Sequence, residues 1–387
     1  MLMLVYRNRS YQDWALCLSD VIKSTVSKQA VFNRLNQKLV ITLKSLVKDV
    51  ISNRVDKQIK VGIFKPFKSV WIQDSTSVHL PDAASALFKG NKSMGKQKSV
   101  AKLNIVINLL TGSIPVMDWY NFTDNEQKLA SQKLPVVNRG DLLIRDLGYF
   151  VLSSFENLSE EGVFFLSRLH SGVKIYCTKT QKPINLTQLL GSKKSVDIEV
   201  LCGKSKKLQV RLVALKLSAQ QANDRIRKAK YNRDKRLNHS KEYYKLLQYV
   251  IFITNVKRDT WTTTQVAQAY KSRWSIEILF KSWKSGIHIS QIIPDVKTNL
   301  YRIECILYLL LLYLSWFQQK LYIPLKWDKS FTEKGLSIIR LVKLFFHRPQ
   351  LWLNSNKLPI DVYNEIRYFC CFDRRHDRVN LFKFIKP

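Results

Sequence analysis

The sequence predicts a mixed α/β protein: a β-sheet flanked by helices, with a helical region before it and a strand-rich insertion inside it. Apolar residues recur at spacings of three and four up to about residue 60, and alternate from residue 69 onwards. Three consecutive strand patterns are then followed by alternating helix and strand patterns, an order that predicts a mixed sheet covered by helices. With 387 residues, 46% of them hydrophobic, the chain can form one large domain or two to three smaller ones.

Residues 1–62 are predicted to be a helical DNA-binding region. A first helix through Val21, a turn within "KSTVSKQ" and a second helix capped by Ser27 would form a helix-turn-helix. Four polar residues of the second helix would then face outward, where they could contact DNA: Lys28, Gln29, Asn33 and Arg34. A small helical bundle with a basic surface fits the same pattern.

Residues 63–170 are predicted to begin the sheet. A meander of three strands is expected from "SVWIQDSTSVHLP", "KSVAKLNIVINLLTG" and "SIPVMDWYNFT", and the first of these runs into Asp74. The helix "DNEQKLASQKL" follows, and "DLLIRDLGYFVLSSFENLSEEGVFFLSRLH" then indicates a strand, Asp146, a helix and another strand.

Three further regions complete the predicted organisation. Residues 171–218 form the strand-rich insertion, with alternating patterns in "VKIYCTKT", "SVDIEVLCG" and "KLQVRLVALKLS". Residues 219–296 hold a basic helix, the last core strand "YVIFITNV" and a helix that begins in "TTTQVAQAYKSRW". Residues 297–387 are expected to be helical and basic, and they open with a long apolar helix over 297–320.

The charge of the chain indicates a polyanionic partner. Lys and Arg number 64 against 29 Asp and Glu, a formal net charge of +35 that is spread along the chain, and nucleic acid is the expected partner. An anionic membrane surface is the competing interpretation. The longest apolar run, "CILYLLLLYLSWF", is shorter than the roughly eighteen residues that span a bilayer, which favours a buried helix and no membrane partner.

The amino terminus and the cysteines predict a cytoplasmic protein. The opening "MLMLVYRNRS" has no basic segment ahead of a long apolar one, so secretion is not expected. The six cysteines include no CxxC pair or zinc-like spacing, and reduced, mostly buried thiols are predicted.

The segment "YKSRWSIEILFKSWKSG" predicts a catalytic face on one continuous helix. At about 100° per residue, its polar side chains fall in one arc of roughly 80°: Tyr270, Arg273, Glu277, Lys281 and Lys284. Apolar residues cover most of the remaining circumference, which indicates a helix lining a cleft. A solvated helix with i,i+4 ion pairs is the simpler alternative.

Three acidic residues occupy distinctive places in this scheme: Asp74 on the first strand, Asp146 at the end of a later strand and Glu277 on the helix. Phosphoryl transfer at DNA uses divalent metal ions held by carboxylates, and Arg273, Lys281 and Lys284 would hold phosphates nearby. Tyr270 could donate a hydrogen bond to a phosphate or support the helix that carries Glu277. By pattern alone, three other acids could serve in place of Asp146: Asp118, Asp124 and Asp141.

These residues resemble a known family. The spacing of Tyr270, Arg273, Glu277 and Lys284 is similar to the YREK signature of the insertion-sequence-four-like DDE transposases, and "QDST" and "RDLGYF" look like the segments carrying that family's aspartates. "STVSKQAVFNRL" and "FLSRL" also resemble family segments, so the likeness covers about residues 20 to 320.

The resemblance implies a ribonuclease H-like catalytic fold in which Asp74, Asp146 and Glu277 bind Mg²⁺, with Mn²⁺ as a substitute, and a strand insertion between the second aspartate and the glutamate. The implied reaction is hydrolysis at the ends of an insertion sequence, followed by attack of the freed 3′-hydroxyl on target DNA. Double-stranded DNA, as terminal inverted repeats and target, is the implied partner, and a homodimer would hold two ends together.

Other candidate DNA contacts are Lys28, Arg34, Arg225, Arg227 and Lys228, although the basic helix around Arg227 could equally be a solvated surface. Family members can form a hairpin at the cut end, and Tyr249 or Trp274 could stack on the flipped base, although each could instead be a core residue. Two other functions remain open: a nuclease that cuts without joining, and an inactive DNA-binding relic.

Overall fold

The computed structural model describes residues 10–52, 61–204, 207–231, 240–289, 300–332, 335–348 and 359–372. The described residues fall into two compact units that are interleaved along the chain. The first unit takes its residues from 1–59, 74–124 and 274–386, and the second from 60–73 and 125–273. Strand β1, Val70–Leu80, passes from the second unit into the first after Gln73.

The amino-terminal region of the first unit is helical, as the sequence predicts, but it contains a second break, at residues 35–36, that the sequence analysis did not place. Its helices are α1, Tyr11–Ile22, α2, Lys28–Arg34, and α3, Gln37–Ser52. The Ser27 hydroxyl accepts a hydrogen bond from the Ala30 backbone N–H at 3.1 Å, which satisfies one of the free donors at the start of α2. The predicted cap and turn are therefore confirmed, while DNA binding by this region stays a prediction.

The meander in the first unit is also confirmed. Strand β1 continues through Asp74 to Leu80, and it neighbours β3, Lys96–Asn108, which pairs antiparallel with β4, Val116–Asn121. The sequence analysis missed β2, Lys89–Ser93, which forms a hairpin with the start of β3. Most residues of β2 are exposed, so it lacks the apolar alternation that marks a half-buried strand.

The other regular elements among the described residues of the first unit are helices. Its helices are α10, Trp274–Ser282, α11, Leu300–Trp316, α12, Ile323–Trp327, α13, Lys329–Thr332, α14, Ile338–His347, and α15, Ile360–Phe369. Two π-helical turns, Trp283–Ile287 and Phe317–Tyr322, follow α10 and α11. Helix α11 packs against α3.

One described stretch, Leu300–Trp327, is long and apolar enough to cross a membrane by length and composition. Side chains along α11 are buried within the unit, among them Cys305, Ile306 and Leu310, which is the behaviour of a core helix.

The second unit contains a mixed sheet. The start of β1 pairs parallel with β5, Leu142–Arg145, and β5 pairs parallel with β6, Phe164–Arg168. The remaining strands are antiparallel and follow in the order β10, Tyr249–Thr254, β9, Leu208–Lys216, β8, Ser195–Cys202, and β7, Ile175–Cys177. The predicted insertion strands are therefore present and continue the same sheet. A meander followed by two strands parallel to its first strand is the ribonuclease H-like arrangement.

Helices flank this sheet, as predicted. They are α4, Glu126–Ala130, α5, Leu152–Glu160, α6, Leu186–Leu190, α7, Ala219–Lys230, α8, Lys241–Leu246, and α9, Thr263–Lys271. Helix α5 packs on β6, α8 on β10, and α9 on β6 and β9. Phe155, Phe165, Leu212 and Ile253 form part of the core of this unit. Residues 232–239, in the middle of the predicted basic segment, lie outside the described residues.

The described cysteines are all free thiols, as the sequence predicts. Four of them are buried and two are partly exposed.

Candidate active site around Asp146

Asp146 stands directly after strand β5, where the chain turns into a short 3₁₀ helix, Leu147–Tyr149. Its backbone carbonyl accepts a hydrogen bond from the Tyr149 N–H at 3.0 Å, which fixes the turn. The Asp146 side chain is 39% exposed. Asp146 therefore lies in a hydrogen-bonded turn at the carboxyl end of a buried strand, and its carboxylate can still be reached from solvent.

Two residues of the predicted signature contact this carboxylate. The Tyr270 hydroxyl donates a hydrogen bond to Asp146 Oδ1 at 3.0 Å, and Arg273 Nε lies 3.7 Å from the same oxygen. The guanidinium carbon of Arg273 is also 5.7 Å from the centroid of the Tyr270 ring. The structure thus brings together three predicted site residues from distant parts of the sequence.

Burial keeps the Tyr270 hydroxyl protonated, so that it remains a hydrogen-bond donor. Its ring packs against Phe252 with a centroid separation of 5.0 Å, and the residue is only 7% exposed. Burial, together with the negative charge of Asp146, raises the pKa of Tyr270 well above its usual range. The phenol therefore keeps its proton and donates a hydrogen bond to the carboxylate oxygen over the whole neutral range.

The prediction of one continuous helix through these residues is wrong. Helix α9 ends at Lys271, and α10 begins at Trp274. Between them, Ser272 and Arg273 donate their N–H groups three residues back, to the carbonyls of Ala269 and Tyr270. This tighter 3₁₀-type bonding changes the angle between successive residues, so the single arc expected for a regular α-helix is interrupted.

The second half of the signature lies in the first unit. Glu277 is partly exposed on α10, Lys281 is exposed at its end, and Lys284 is exposed in the π-helical turn that follows. Ile276 and Leu279 are buried, as predicted for the apolar face of this helix.

The sequence analysis missed a buried polar pair, Gln73 and Arg145, which are the first residues of the two segments that carry the aspartates. Gln73 and Arg145 are partners in the parallel β1–β5 register, and each directly precedes one of the aspartates. Arg145 Nε donates to Gln73 Oε1 at 2.8 Å, and its Nη1 donates to the Ala130 carbonyl and the Ser154 hydroxyl. Burial lowers the pKa of Arg145 to about 10. The sequence feature that could have revealed this pair is a polar residue next to an apolar run in each strand, Gln73 after "VWI" and Arg145 after "LLI".

Asp74 is partly exposed within β1, and its Oδ1 accepts a hydrogen bond from the Ser75 N–H at 2.8 Å. Across the described ranges, no three His, Cys, Asp or Glu side chains form a preassembled metal-binding group. Asp74, Asp146 and Glu277 nevertheless offer only hard oxygen donors, the type that Mg²⁺ prefers.

Asp141, one of the alternatives to Asp146, has a structural role. It is 4% exposed, and its Oδ2 accepts hydrogen bonds from Trp71 Nε1 and the Asn138 N–H, both at 2.9 Å. Because the Asp141 carboxylate is buried and already accepts two hydrogen bonds from neighbouring residues, it is poorly placed to bind a metal ion. Asp118 lies exposed on β4, and Asp124 follows that strand.

A second missed network ties the insertion strands to helix α9. Arg211 on β9 makes two hydrogen bonds to Asp197 on β8, at 2.9 and 2.7 Å. Its Nη1 also donates to three backbone carbonyls of the loop before α9, those of Val256, Lys257 and Trp261. Asp197 further accepts a hydrogen bond from Thr263, the first residue of α9, at 3.2 Å. The insertion therefore holds the start of the helix that carries Tyr270.

The candidate DNA-binding residues differ in their availability. Lys28, Arg34 and Lys228 are exposed, and Arg227 is paired with Asp224 at 3.2 Å on the surface. Arg225 is half-buried and donates to the Tyr249 carbonyl at 3.0 Å. Burial, with a contribution from the nearby Arg168 charge, lowers the pKa of Arg225. Arg225 thus already has a structural contact within the second unit.

The two candidate stacking residues also differ. Tyr249 is 6% exposed, and its hydroxyl is within 3.0 Å of the carbonyls of Gly191 and Lys193. It is a core residue of the second unit and presents no free ring face for a base. Trp274 is 56% exposed.

An accessible carboxylate at the end of a core strand, held by a buried tyrosine and an arginine within a mixed sheet, defines a candidate active site. A family model described as "Transposase DDE domain" matches residues 65–292. That range is more than half of the chain, and the chain belongs to this family.

Named relatives agree with this assignment. The transposase for insertion sequence element IS231F of Bacillus thuringiensis subsp. israelensis is 26% identical over 319 residues, which cover 75% of this chain and 65% of that protein. The transposase for insertion sequence element IS1151 of Clostridium perfringens is 28% identical over 315 residues, with coverages of 74% and 65%. The chain thus spans slightly less than two thirds of the length of these relatives.

A solved structure is also similar: a piggyBac transposase synaptic complex with hairpin DNA, with a TM-score of 0.39 and 12% sequence identity. The similarity covers 98% of this chain and 75% of that one.

Proposed function

We propose that the protein is a DNA transposase that cleaves DNA at the ends of an insertion sequence and transfers the freed 3′-hydroxyl into target DNA. The observation that carries this proposal is the Asp146 carboxylate, held by Tyr270 and Arg273 in a chain of the DDE transposase family. Such a contact can be purely structural, but a carboxylate that stays accessible to solvent while two buried residues from another segment hold it is a candidate functional group.

In this proposal, Asp74, Asp146 and Glu277 bind Mg²⁺, with Mn²⁺ as a substitute. All three offer carboxylate oxygens, and Asp74 and Asp146 each follow a residue of the paired Gln73–Arg145 register. Divalent ions in such a site activate the attacking oxygen and stabilise the leaving oxygen of the phosphodiester. The protein contributes the position and charge of the carboxylates.

Tyr270 and Arg273 act on Asp146 as positioning residues. The Tyr270 hydroxyl occupies one lone pair of Oδ1, so it restricts rotation of the carboxylate and leaves Oδ2 available. The positive charge of Arg273, 3.7 Å from Oδ1, partly neutralises the carboxylate and favours approach of a phosphate. Lys281 and Lys284, both exposed, would bind phosphate groups of the DNA backbone.

The partner in this proposal is double-stranded DNA, both as terminal inverted repeats and as target. A net charge of +35 would draw the protein to DNA and make binding strongly dependent on salt. A homodimer would cut two ends together, in the cytoplasm. The exposed Trp274, directly after Arg273, is the remaining candidate for stacking on a flipped base.

The test uses purified protein, Mg²⁺ and labelled duplexes taken from the DNA that flanks its gene, with a supercoiled plasmid as target. We expect cleavage at a repeat boundary and joining to the plasmid, and we expect both to disappear in Asp146→Asn and on removal of Mg²⁺ with a chelator. Asp118→Asn is the matched control: it neutralises an exposed carboxylate on another strand and should leave both activities intact.

The outcomes separate the alternatives. Cleavage without joining would identify a nuclease, and DNA binding without cleavage would identify an inactive relic. Loss of activity in Asp118→Asn but not in Asp146→Asn would show that the metal-binding residues are assigned wrongly.

A further inference from the structure

The hairpin between β2 and β3 ends in an unusual turn. Ser93 pairs with Lys96, and the two residues between them, Met94 and Gly95, have φ of +48° and +74°. Positive φ at both central positions is the geometry of tight two-residue hairpins, which favour Asn, Asp or Gly there. Gly95 fits this requirement, whereas Met94 carries an ordinary side chain into the left-handed region.

Among the described residues, the Met94 side chain makes no packing contact that would explain a methionine at this position. Its side chain is 100% exposed, so it has no core contact that would offset an unfavourable backbone conformation. A non-glycine residue at positive φ that no packing contact offsets is a candidate for a role in binding a partner.

The stem of this hairpin is strongly basic. Exposed lysines lie on both strands next to the tip: Lys89, Lys92, Lys96 and Lys98. Within the described part of the chain, Lys98 alone among them forms an ion pair, with Asp82 at 2.8 Å. The sequence contains no Asp or Glu between Asp82 and Asp118, so the tip presents an apolar side chain within a cationic surface.

The stem is also braced, so that the tip is held in a defined position. Gln97 Nε2 donates to the carbonyls of Gly90 and Lys98, at 2.7 and 3.1 Å. The Ser99 hydroxyl donates to the Phe88 carbonyl at 2.9 Å. The tip extends about 13 Å beyond the buried Ser99, at about 3.3 Å per strand residue.

We propose that this hairpin is a wedge for duplex DNA, in which Met94 enters the minor groove between two base pairs while the lysines bind the flanking phosphates. Apolar side chains inserted at the minor groove unstack a base step and bend the duplex. The groove is about 6 Å wide, which admits one side chain but not the two strands of the stem. The proposal rests on the proposed function only in taking DNA as the partner, and an anionic membrane is the competing partner.

The test measures base unstacking directly, without cleavage. The full chain is titrated, in the absence of divalent metal ions, with duplexes that carry 2-aminopurine at successive positions, because the fluorescence of this base rises when it loses its stacking partner. We expect a rise at one step with the wild-type protein and none with Met94→Asn. Asn tolerates positive φ, so this variant should retain its fold and its thermal transition.

Two further measurements separate the wedge from the lysines. Replacing Lys92 and Lys96 together by Gln should reduce the slope of log affinity against log salt by about 1.8, because each phosphate that a lysine no longer neutralises accounts for roughly 0.9. On a regular duplex, Met94→Asn should bind more weakly than the wild type. A duplex that a two-nucleotide bulge has already kinked should remove this difference in affinity, because its bases are unstacked before the protein binds.

Unstacking by Met94→Asn equal to that of the wild type would overturn the proposal, as would wild-type binding with no fluorescence rise at any step. Binding to anionic phosphatidylserine vesicles that duplex DNA does not compete away would assign the hairpin to a membrane instead. Because no cleavage is scored, a catalytically inactive chain can still pass this test, and an active transposase can still fail it.

Discussion

The Asp197–Arg211 pair offers the sharpest test of how the insertion strands support the site. Asp197→Asn keeps the shape of the side chain but removes the charge that faces Arg211, whose side chain is 2% exposed. Removing one partner of a buried pair costs about 3–5 kcal/mol. Because the Asp197 side chain is 20% exposed and water can replace part of the interaction, we expect the lower end, about 3 kcal/mol.

The assay is hydrogen exchange of the loop and helix start between residues 256 and 263, where Arg211 holds three carbonyls. If local opening is governed by this contact, about 3 kcal/mol corresponds to roughly a hundredfold loss of protection. Arg258→Gln is the matched control, because Arg258 also contacts Asp197, at 3.0 Å, but its side chain is 51% exposed. That variant should lose less than about 1 kcal/mol.

The pH dependence gives an independent check. Burial alone would raise the pKa of Asp197, but the hydrogen bonds and charges of Arg211 and then Arg258 outweigh it, and the pKa is lowered. The stabilisation by the ionised carboxylate is therefore complete above the unfolded pKa, about 3.9, and disappears as the pH falls through the lower folded value. Equal protection of wild type and Asp197→Asn at pH 7, or a difference that persists undiminished at low pH, would refute the reasoning.

Three further changes test other parts of the structure. Tyr270→Phe removes the hydrogen bond to Asp146 but keeps the buried ring, so single-turnover end cleavage should slow about tenfold or more, whereas urea unfolding should show a loss of only about 1 kcal/mol; equal rates would exclude a positioning role. Gln73→Leu leaves Arg145 Nε without its acceptor and should lower the unfolding free energy by about 1–3 kcal/mol; an unchanged urea midpoint would contradict this. Ser27→Ala should destabilise the amino-terminal helices by about 1 kcal/mol, seen as faster amide exchange there but not in the sheet.

Helices and strands that are specified by residues close together in the sequence could be predicted from the sequence alone. Alternation predicted β1, β3 and β4 because successive side chains of a strand point to opposite faces, and Ser27 predicted the start of α2 because a helix start needs a side-chain acceptor. The break between α9 and α10 was missed because neither Ser272 nor Arg273 is a residue that ends helices. The β2 strand was missed because its exposed residues show no periodicity.

Which side chains meet depends instead on how the chain packs. Tyr270 and Asp146 are 124 positions apart, and no local pattern encodes their hydrogen bond. The neutral partners of Arg145, the three carbonyls held by Arg211 and the buried ring of Tyr249 likewise depend on packing between distant segments. Periodicity reports which face of an element is buried, whereas the partner of a buried polar group is fixed only when the chain closes around it and must satisfy its hydrogen bonds.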